Sequence, residues 1–175
     1  MIFTETKLKG AFVINLERRG DERGSFARVF CRNEFESHGL NPSVAQANIS
    51  HSRNRGTLRG IHFQRAPHRE AKLVRCTCGS LFDVIIDLRP ESPTYTEWVG
   101  VELTAENDRM LYVPEGFGHG FQTLVDHTDV TYLVSEFYVP QSEGGVRYDD
   151  PVFGIEWPGE VTVLSDKDRN WPDFE

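Results

Sequence analysis

The chain of 175 residues has no apolar run approaching the roughly 18–20 residues that a membrane-crossing helix needs. Its first residues, Met1-Ile-Phe-Thr-Glu-Thr-Lys7, lack the basic, apolar and small-residue regions of a secretory signal. A cytoplasmic protein with no membrane partner is therefore expected. Cysteine is scarce. Cys31, Cys76 and Cys78 make an odd count, which argues against a disulfide framework. Cys76 and Cys78 lie one residue apart on a strand-like run, so both point to one face. No second pair completes zinc spacing, and buried, inert thiols are the expectation. Basic charge is short as well: 19 Lys and Arg face 27 Asp and Glu, a net charge of -8 that disfavours a nucleic-acid partner. Gly116-Phe-Gly-His-Gly120 is glycine-rich, but no Gly-Lys-Ser/Thr follows, which excludes a P-loop. Repeats, low-complexity tracts and linkers are also missing. One domain over residues 1–175 is expected, long enough to bury a core without staples.

Strand patterns dominate what is there. Leu81-Phe-Asp-Val-Ile-Ile-Asp-Leu88 puts Phe82, Val84, Ile86 and Leu88 on one face and Asp83, Ile85 and Asp87 on the other. Trp98–Leu103, Met110–Val113, Gly118–Val125 and Asp129–Val139 continue the pattern, with prolines between the runs. A short helix is expected near Asn33–His38, with Asn33 as N-cap and Gly39 as the left-handed C-terminal residue. Many short strands and few helices indicate a sandwich, jelly roll or small barrel.

The charge is unevenly spread. Between Arg53 and Arg75 stand seven cationic residues and one acid, Glu70, whereas Glu136 to Glu175 holds ten acids and three bases. A cationic patch on an acidic protein suits a small anionic ligand. For Arg53, Arg55 and Arg69 a solvated basic loop serves equally well; Arg59, between Leu58 and Gly60, fits the ligand better.

Within that patch, Gly56-Thr-Leu-Arg-Gly-Ile-His-Phe-Gln64 and Glu70-Ala-Lys-Leu-Val-Arg75 place His62, Lys72 and Arg59 on two strands separated by one loop. Ser165-Asp-Lys-Asp-Arg-Asn-Trp-Pro172 supplies a carboxylate to orient the histidine. A base, an electrophilic cation and an anion-binding arginine are the parts for proton chemistry beside a carbonyl on a phosphorylated substrate. Strand period sets Lys72 beside Val74 and Cys76, His119 beside Phe121 and Thr123, and Tyr132 beside Val130, Val134 and Tyr138. Polar groups so placed must be paired or functional. On its own, Tyr132 also reads as a core tyrosine with a satisfied hydroxyl. His38, His51 and His127 show no partners and read as surface residues. Trp98, Trp157 and Trp171 read as core or interface, and Tyr138 is a candidate to stack on a nucleobase.

At these residues the chain resembles the dTDP-4-dehydrorhamnose 3,5-epimerase family from about Thr4 onward. The resemblance rests on motifs in order: Asp21-Glu-Arg-Gly-Ser-Phe26, Gln46-Ala-Asn48, Gly56–Gln64, Ala71–Arg75, Val113–Phe121, Tyr132, Glu143-Gly144, Asp150-Pro151, Gly154–Pro158 and Leu164–Asp168. It implies an all-β cupin-type jelly roll (a double-stranded β-helix) with few short helices. It also implies a homodimer that exchanges N-terminal strands, no cofactor or metal, and a nucleotide-diphosphate sugar as substrate. The implied reaction inverts C3 and C5 of a nucleotide-linked 4-keto-6-deoxyglucose. By the same resemblance His62 falls at the general base, Asp168 at its orienting carboxylate, Lys72 at the cation near the C4 carbonyl and Tyr132 at the general acid. Arg23, Arg59, His119, Glu143 and Lys167 fall at positions that hold the diphosphate and sugar, and Gln46 and Asn48 in a ligand-contacting segment. One departure concerns the nucleotide end: Arg28 stands where the family often has glutamate, which leaves the nucleobase open.

Two other readings stay open. A mono-epimerase would invert only C3 or only C5. A metal-dependent cupin would use His62, His68, Glu70 and His119, although the usual pair of histidines one residue apart is missing, since Gln64 stands two places after His62. A noncatalytic sugar-binding module has no need of His62, Lys72, Tyr132 and Asp168 together.

Overall fold

The computed structural model describes residues 1–174. In chain order its strands are β1 (Ile2–Glu5), β2 (Phe12–Asn15), β3 (Arg19–Asp21), β4 (Gly24–Phe26), β5 (Gln46–Ser52), β6 (Leu58–Gln64), β7 (Lys72–Cys78), β8 (Ser80–Asp87), β9 (Trp98–Thr104), β10 (Arg109–Val113), β11 (Phe117–Thr123), β12 (Thr128–Val134) and β13 (Glu143–Gly145). Helices are brief: α1 (Arg32–Ser37), α2 (Asp166–Arg169) and a 3-10 turn over Pro140–Ser142. One sheet has six strands, ordered β1-β2-β10-β7-β12-β5, and a second has five, ordered β13-β6-β11-β8-β9. β3 and β4 form a separate hairpin. From β5 onward the chain passes repeatedly between the two sheets, and their pairings are antiparallel. This is the cupin-type jelly roll that the strand pattern and the resemblance imply.

Alternation explains the layers. Odd and even residues of a strand face opposite sides, so β7 sends Val74 and Cys76 between the sheets and Leu73 outward. Likewise β10 sends Leu111 and Val113 inward, Met110 and Tyr112 outward. The inner core joins these side chains to Leu81, Ile85, Leu103, Phe117 and Phe121 of the five-stranded sheet. Phe35 of α1 and Leu40 cover the outer face of the six-stranded sheet over Ile14, Met110 and Tyr112. Phe153 and its neighbours in the C-terminal segment cover Ile61, Val84 and Ile86 on the other sheet. Each fully buried side chain of this size contributes roughly 1.5–3 kcal/mol.

Close approach of β6 to β11 demands glycine. Gly60 has φ +126°, and a Cβ there would lie 2.5 Å from the Gly120 Cα. The pairing of these strands shifts by a bulge between His119 and Phe121, which leaves His119 directly across from His62.

Several sequence expectations are corrected. Asn33 lies inside α1; Cys31 holds the N-cap position without a side-chain cap, while Gly39, at φ +71°, does turn left-handed after the helix. β12 ends at Val134, not Val139. Beyond it, glutamine side chains replace the ladder: the Tyr138 N–H donates to Gln46 Oε1 at 2.9 Å and the Val139 N–H to Gln64 Oε1 at 2.7 Å. Tyr138 is consequently not on the Tyr132 strand face. Cys76 is buried but Cys78 is exposed, because the β7–β12 register shifts at Asp129/Val130 and the strand end leaves the core. His38, His51 and His127 are exposed, as expected, but two of them have partners: His51 pairs with Asp129 at 2.6 Å and His38 stacks on Phe3.

Candidate active site

Residues of β5, β6, β7, β11 and β12, with the C-terminal segment around α2, line a cleft. It has two adjoining lobes of about 490 and 390 Å³, and His62, Lys72 and Tyr132 line both. β6 brings His62 to this junction, β7 brings Lys72, and β12 brings Tyr132.

Asp168 completes the histidine site from a distant part of the chain. His62 Nε2 lies 2.6 Å from Asp168 Oδ1, and the other oxygen accepts the Gly60 N–H at 3.3 Å. Ser165 begins α2 and its Oγ accepts the Asp168 N–H at 3.1 Å, which fixes the carboxylate's approach. Burial favours the neutral acid, but the His62 hydrogen bond and charge and the Gly60 N–H outweigh it and hold the carboxyl below its ordinary range. An ionised carboxylate only accepts hydrogen bonds. The neutral imidazole therefore carries its proton on Nε2 and keeps Nδ1 as the basic nitrogen. The Trp171 ring meets His62 edge-on at 6.5 Å between centroids. Trp171 fits there because residue 145 is glycine: a Cβ would fall within the ring.

Lys72 is buried, with its Nζ 3.2 Å from Glu70 Oε1. Tyr132 is half-buried; burial and the nearby Glu70 carboxylate raise its phenol above the ordinary value, with Arg59 acting the other way. His119 and Asp83 form a second, more deeply buried pair at 2.7 Å beside the first lobe, and the second oxygen of Asp83 is buried without a partner.

The lobes differ in charge. Arg59 and Lys167 join His62, Lys72 and His119 around the first. The Arg59 guanidinium is steadied by the His51 carbonyl at 3.0 Å and Ser52 Oγ at 3.3 Å. Gln46, Asn48, Glu70, Tyr138 and Glu143 line the second. Glu143 links the two, pairing with Lys167 and accepting from the Tyr138 hydroxyl at 3.2 Å. Burial pushes its carboxyl up, but Lys167, Tyr138 and His62 together bring it below the usual value.

Of the residues that the resemblance assigns to catalysis or substrate binding, Arg23 stands away from this cleft and the others line it. It is exposed on the β3–β4 hairpin and ion-paired to Asp21. Arg28 is also remote, 3.8 Å from Glu34 beside the amino terminus. The four proposed metal ligands do not converge: His62, His119 and Glu70 are engaged by Asp168, Asp83 and Lys72. Among the described residues, no group of three His, Cys, Asp or Glu is arranged to hold a metal.

Three participants escape the sequence reading. Asp83 had a signal, a carboxylate facing inward on an apolar strand. Ser165 also had one, the Ser-x-x-Asp spacing of a helix N-terminus. Glu70, weighed in the sequence only as a candidate metal ligand, had no signal for this place beyond its nearness to Lys72.

The chain is similar to known proteins over nearly its whole length. The family model described as dTDP-4-dehydrorhamnose 3,5-epimerase matches residues 5–175. The chain is 46% identical over 172 residues to the dTDP-4-dehydrorhamnose 3,5-epimerase of Methanothermobacter thermautotrophicus, covering 97% of this chain and 92% of that one. It is 42% identical to the dTDP-4-dehydrorhamnose 3-epimerase of Streptomyces niveus, covering 93% and 79%. The crystal structure of the Bacillus anthracis dTDP-4-dehydrorhamnose 3,5-epimerase with TDP and PPi bound superposes with a TM-score of 0.95 at 42% identity, covering 99% of each chain. With a family match over nearly its whole length and the same fold, the chain belongs to the dTDP-4-dehydrorhamnose 3,5-epimerase family.

Proposed function

We propose that the chain is an isomerase that converts dTDP-4-dehydro-6-deoxy-D-glucose to dTDP-4-dehydro-L-rhamnose by inverting C3 and C5. The observation that carries this reading is the His62–Asp168 pair at 2.6 Å, set where both lobes also meet Lys72 and Tyr132.

The C4 ketone acidifies the protons on C3 and C5. His62 removes one as general base, and Asp168 stabilises the imidazolium that forms. Lys72 faces the C4 oxygen and stabilises the enolate, a preorganised contribution typically worth about 10²–10³ in rate. Tyr132 returns a proton from the opposite face, which inverts the centre. The oxidation state is unchanged, so no redox cofactor is required. Arg59, Lys167 and His119 in the first lobe suit the diphosphate and sugar, a forked guanidinium matching phosphate oxygens. Gln46, Asn48, Tyr138 and Glu143 give the second lobe polar contacts for the rest of the ligand.

The reading includes a single-domain cytoplasmic homodimer. Arg23 supports the dimer, since it sits on an exposed hairpin with Phe26, which is 66% exposed, and needs a second copy to meet a ligand. Light scattering that gives the mass of one chain would refute this part.

Incubation with the dTDP-4-keto sugar in D₂O, followed by NMR, tests the reaction. Deuterium at C3 and C5 with an L-configured, reductase-trappable product is expected. No exchange at either carbon would sink the proposal. The Streptomyces niveus relative, a 3-epimerase by name, supports one alternative: inversion at C3 alone. Exchange confined to C3 would identify it.

A further inference from the structure

Lys72 is held by a carboxylate that the reaction as described above does not use. Glu70 Oε1 lies 3.2 Å from the Lys72 ammonium, and both side chains are about nine-tenths buried, at 12% and 10% exposure. The other oxygen, Oε2, accepts from Gln64 Nε2 at 3.3 Å. Gln64 is in turn committed to backbone on both sides, its two N–H groups shared among Glu70, the His68 carbonyl at 3.0 Å and the Phe137 carbonyl at 3.1 Å, while its oxygen accepts the Val139 N–H at 2.7 Å. A lysine carries a compact charge on four flexible methylenes, so it points reliably only if something fixes its tip. At this site Glu70 supplies that fixed point, and Gln64 fixes Glu70.

From this chain of contacts we infer that Glu70 is a positioning residue: it holds the Lys72 ammonium at the junction of the two lobes and ties it to the segment that bears Tyr138. The inference rests on the reading of Lys72 as the group facing the C4 oxygen. Glu70 acts through Lys72 and not on the sugar. Removing it frees the ammonium to swing away from the oxyanion, and a displacement of about 1 Å at a reacting group can cost on the order of 100-fold.

The contact that matters is hydrogen-bond acceptance. A glutamine at position 70 keeps a carbonyl oxygen for Lys72, whereas an alanine leaves nothing. Steady-state kinetics with the dTDP-4-keto sugar and a coupled reductase should therefore separate the variants. Glu70→Ala is expected to lower kcat by roughly 10- to 100-fold with KM within about threefold of wild type. Glu70→Gln should recover kcat to within about threefold. The double variant Glu70→Ala/Lys72→Ala should be no slower than Lys72→Ala alone, because a residue that acts only through another adds nothing once that other is gone. Thermal unfolding of each variant reports the fold. If Glu70→Ala does not fold, Glu70→Leu takes its place, with a side chain of similar length, no acceptor and the same expected loss.

Unchanged kcat in the variant lacking the acceptor, a rise in KM alone, or losses that add in the double variant would each overturn the inference while wild type is active. Equal impairment in Glu70→Gln and Glu70→Ala would also overturn it, by showing that charge and not position is the contribution. A wild-type enzyme that neither exchanges nor converts the substrate would refute the functional reading itself, and the role of Glu70 with it.

Discussion

His62 Nε2 and Asp168 Oδ1 are 2.6 Å apart although 106 positions separate the residues in the chain. Replacing the carboxylate by an amide removes the acceptor that selects the imidazole tautomer, as in catalytic triads, where the same change costs about 10⁴ in kcat. Asp168→Asn is expected to lose roughly 10²–10⁴ in kcat while retaining the fold, and His62→Ala to lose nearly all turnover and all deuterium wash-in. Full exchange by His62→Ala would assign the base elsewhere.

Tyr132→Phe separates deprotonation from inversion. The variant should still admit deuterium at the carbon attacked by His62, with retention of configuration and little epimeric product. NMR of the recovered sugar distinguishes the two. A Tyr132→Phe enzyme that epimerises at the wild-type rate would remove Tyr132 from the mechanism.

The same tyrosine sets a pH expectation. In the proposed mechanism its acid form donates the proton, and burial followed by the charge of Glu70 raises its pKa above the ordinary phenol value. Donation is thus available at all lower pH and is lost only as pH rises through that raised value. The tyrosine-dependent alkaline limb of kcat is expected beyond about pH 10, and absent from Tyr132→Phe. A tyrosine-dependent limb near neutrality would contradict the assignment.

Arg59 is exposed at the mouth of the first lobe and donates to the His51 carbonyl. Arg59→Ala should raise KM by roughly 10- to 100-fold with kcat nearly kept, the loss of one charge-assisted contact to phosphate. An unchanged KM would exclude the arginine from diphosphate binding.

Far from the cleft, Asp87 is fully buried and tied to Arg89, Ser92 and Thr94. Burial acts to raise its pKa, but these partners lower it to about 2 from 3.8. A carboxyl lowered on folding stabilises the native state above its unfolded pKa, and that contribution fades as pH falls through the folded value. The difference amounts to about 2 kcal/mol at neutral pH. Urea unfolding should show Asp87→Asn destabilised by at least that amount at pH 7, with the gap from wild type closing between about pH 4 and 2. A gap independent of pH would mean that packing, not ionisation, carries the effect.

Much of the sandwich was legible because short apolar runs bounded by prolines mark strands, and odd and even residues of a strand face opposite sides. The inward aim of Lys72, Tyr132 and His119 followed from the same period, and the cleft gathers all three. What escaped was local or nonlocal in specific ways. α2 has four residues, too few for any helical period, and only the Ser165 cap betrays it. The end of β12 depends on Gln46 and Gln64, distant glutamines whose side chains capture backbone in place of a strand. Cys78 depends on a register shift that no pattern within its own strand encodes. Arg23 was placed by resemblance alone, and within one chain it stands outside the cleft.

The route by which Asp168 reaches His62 has a consequence for how activity arises along the chain. Lys72, Tyr132 and the histidine belong to strands of the sandwich, whereas the carboxylate arrives on a tail pinned at Val163 beside Thr57 and at Ser165. None of the residues lining the second lobe belongs to that tail. Under the proposed mechanism, displacement of that segment takes away both the carboxylate behind His62 and the Lys167 partner of Glu143, so it disables the histidine and loosens one wall of the second lobe, whose lining otherwise lies outside the tail.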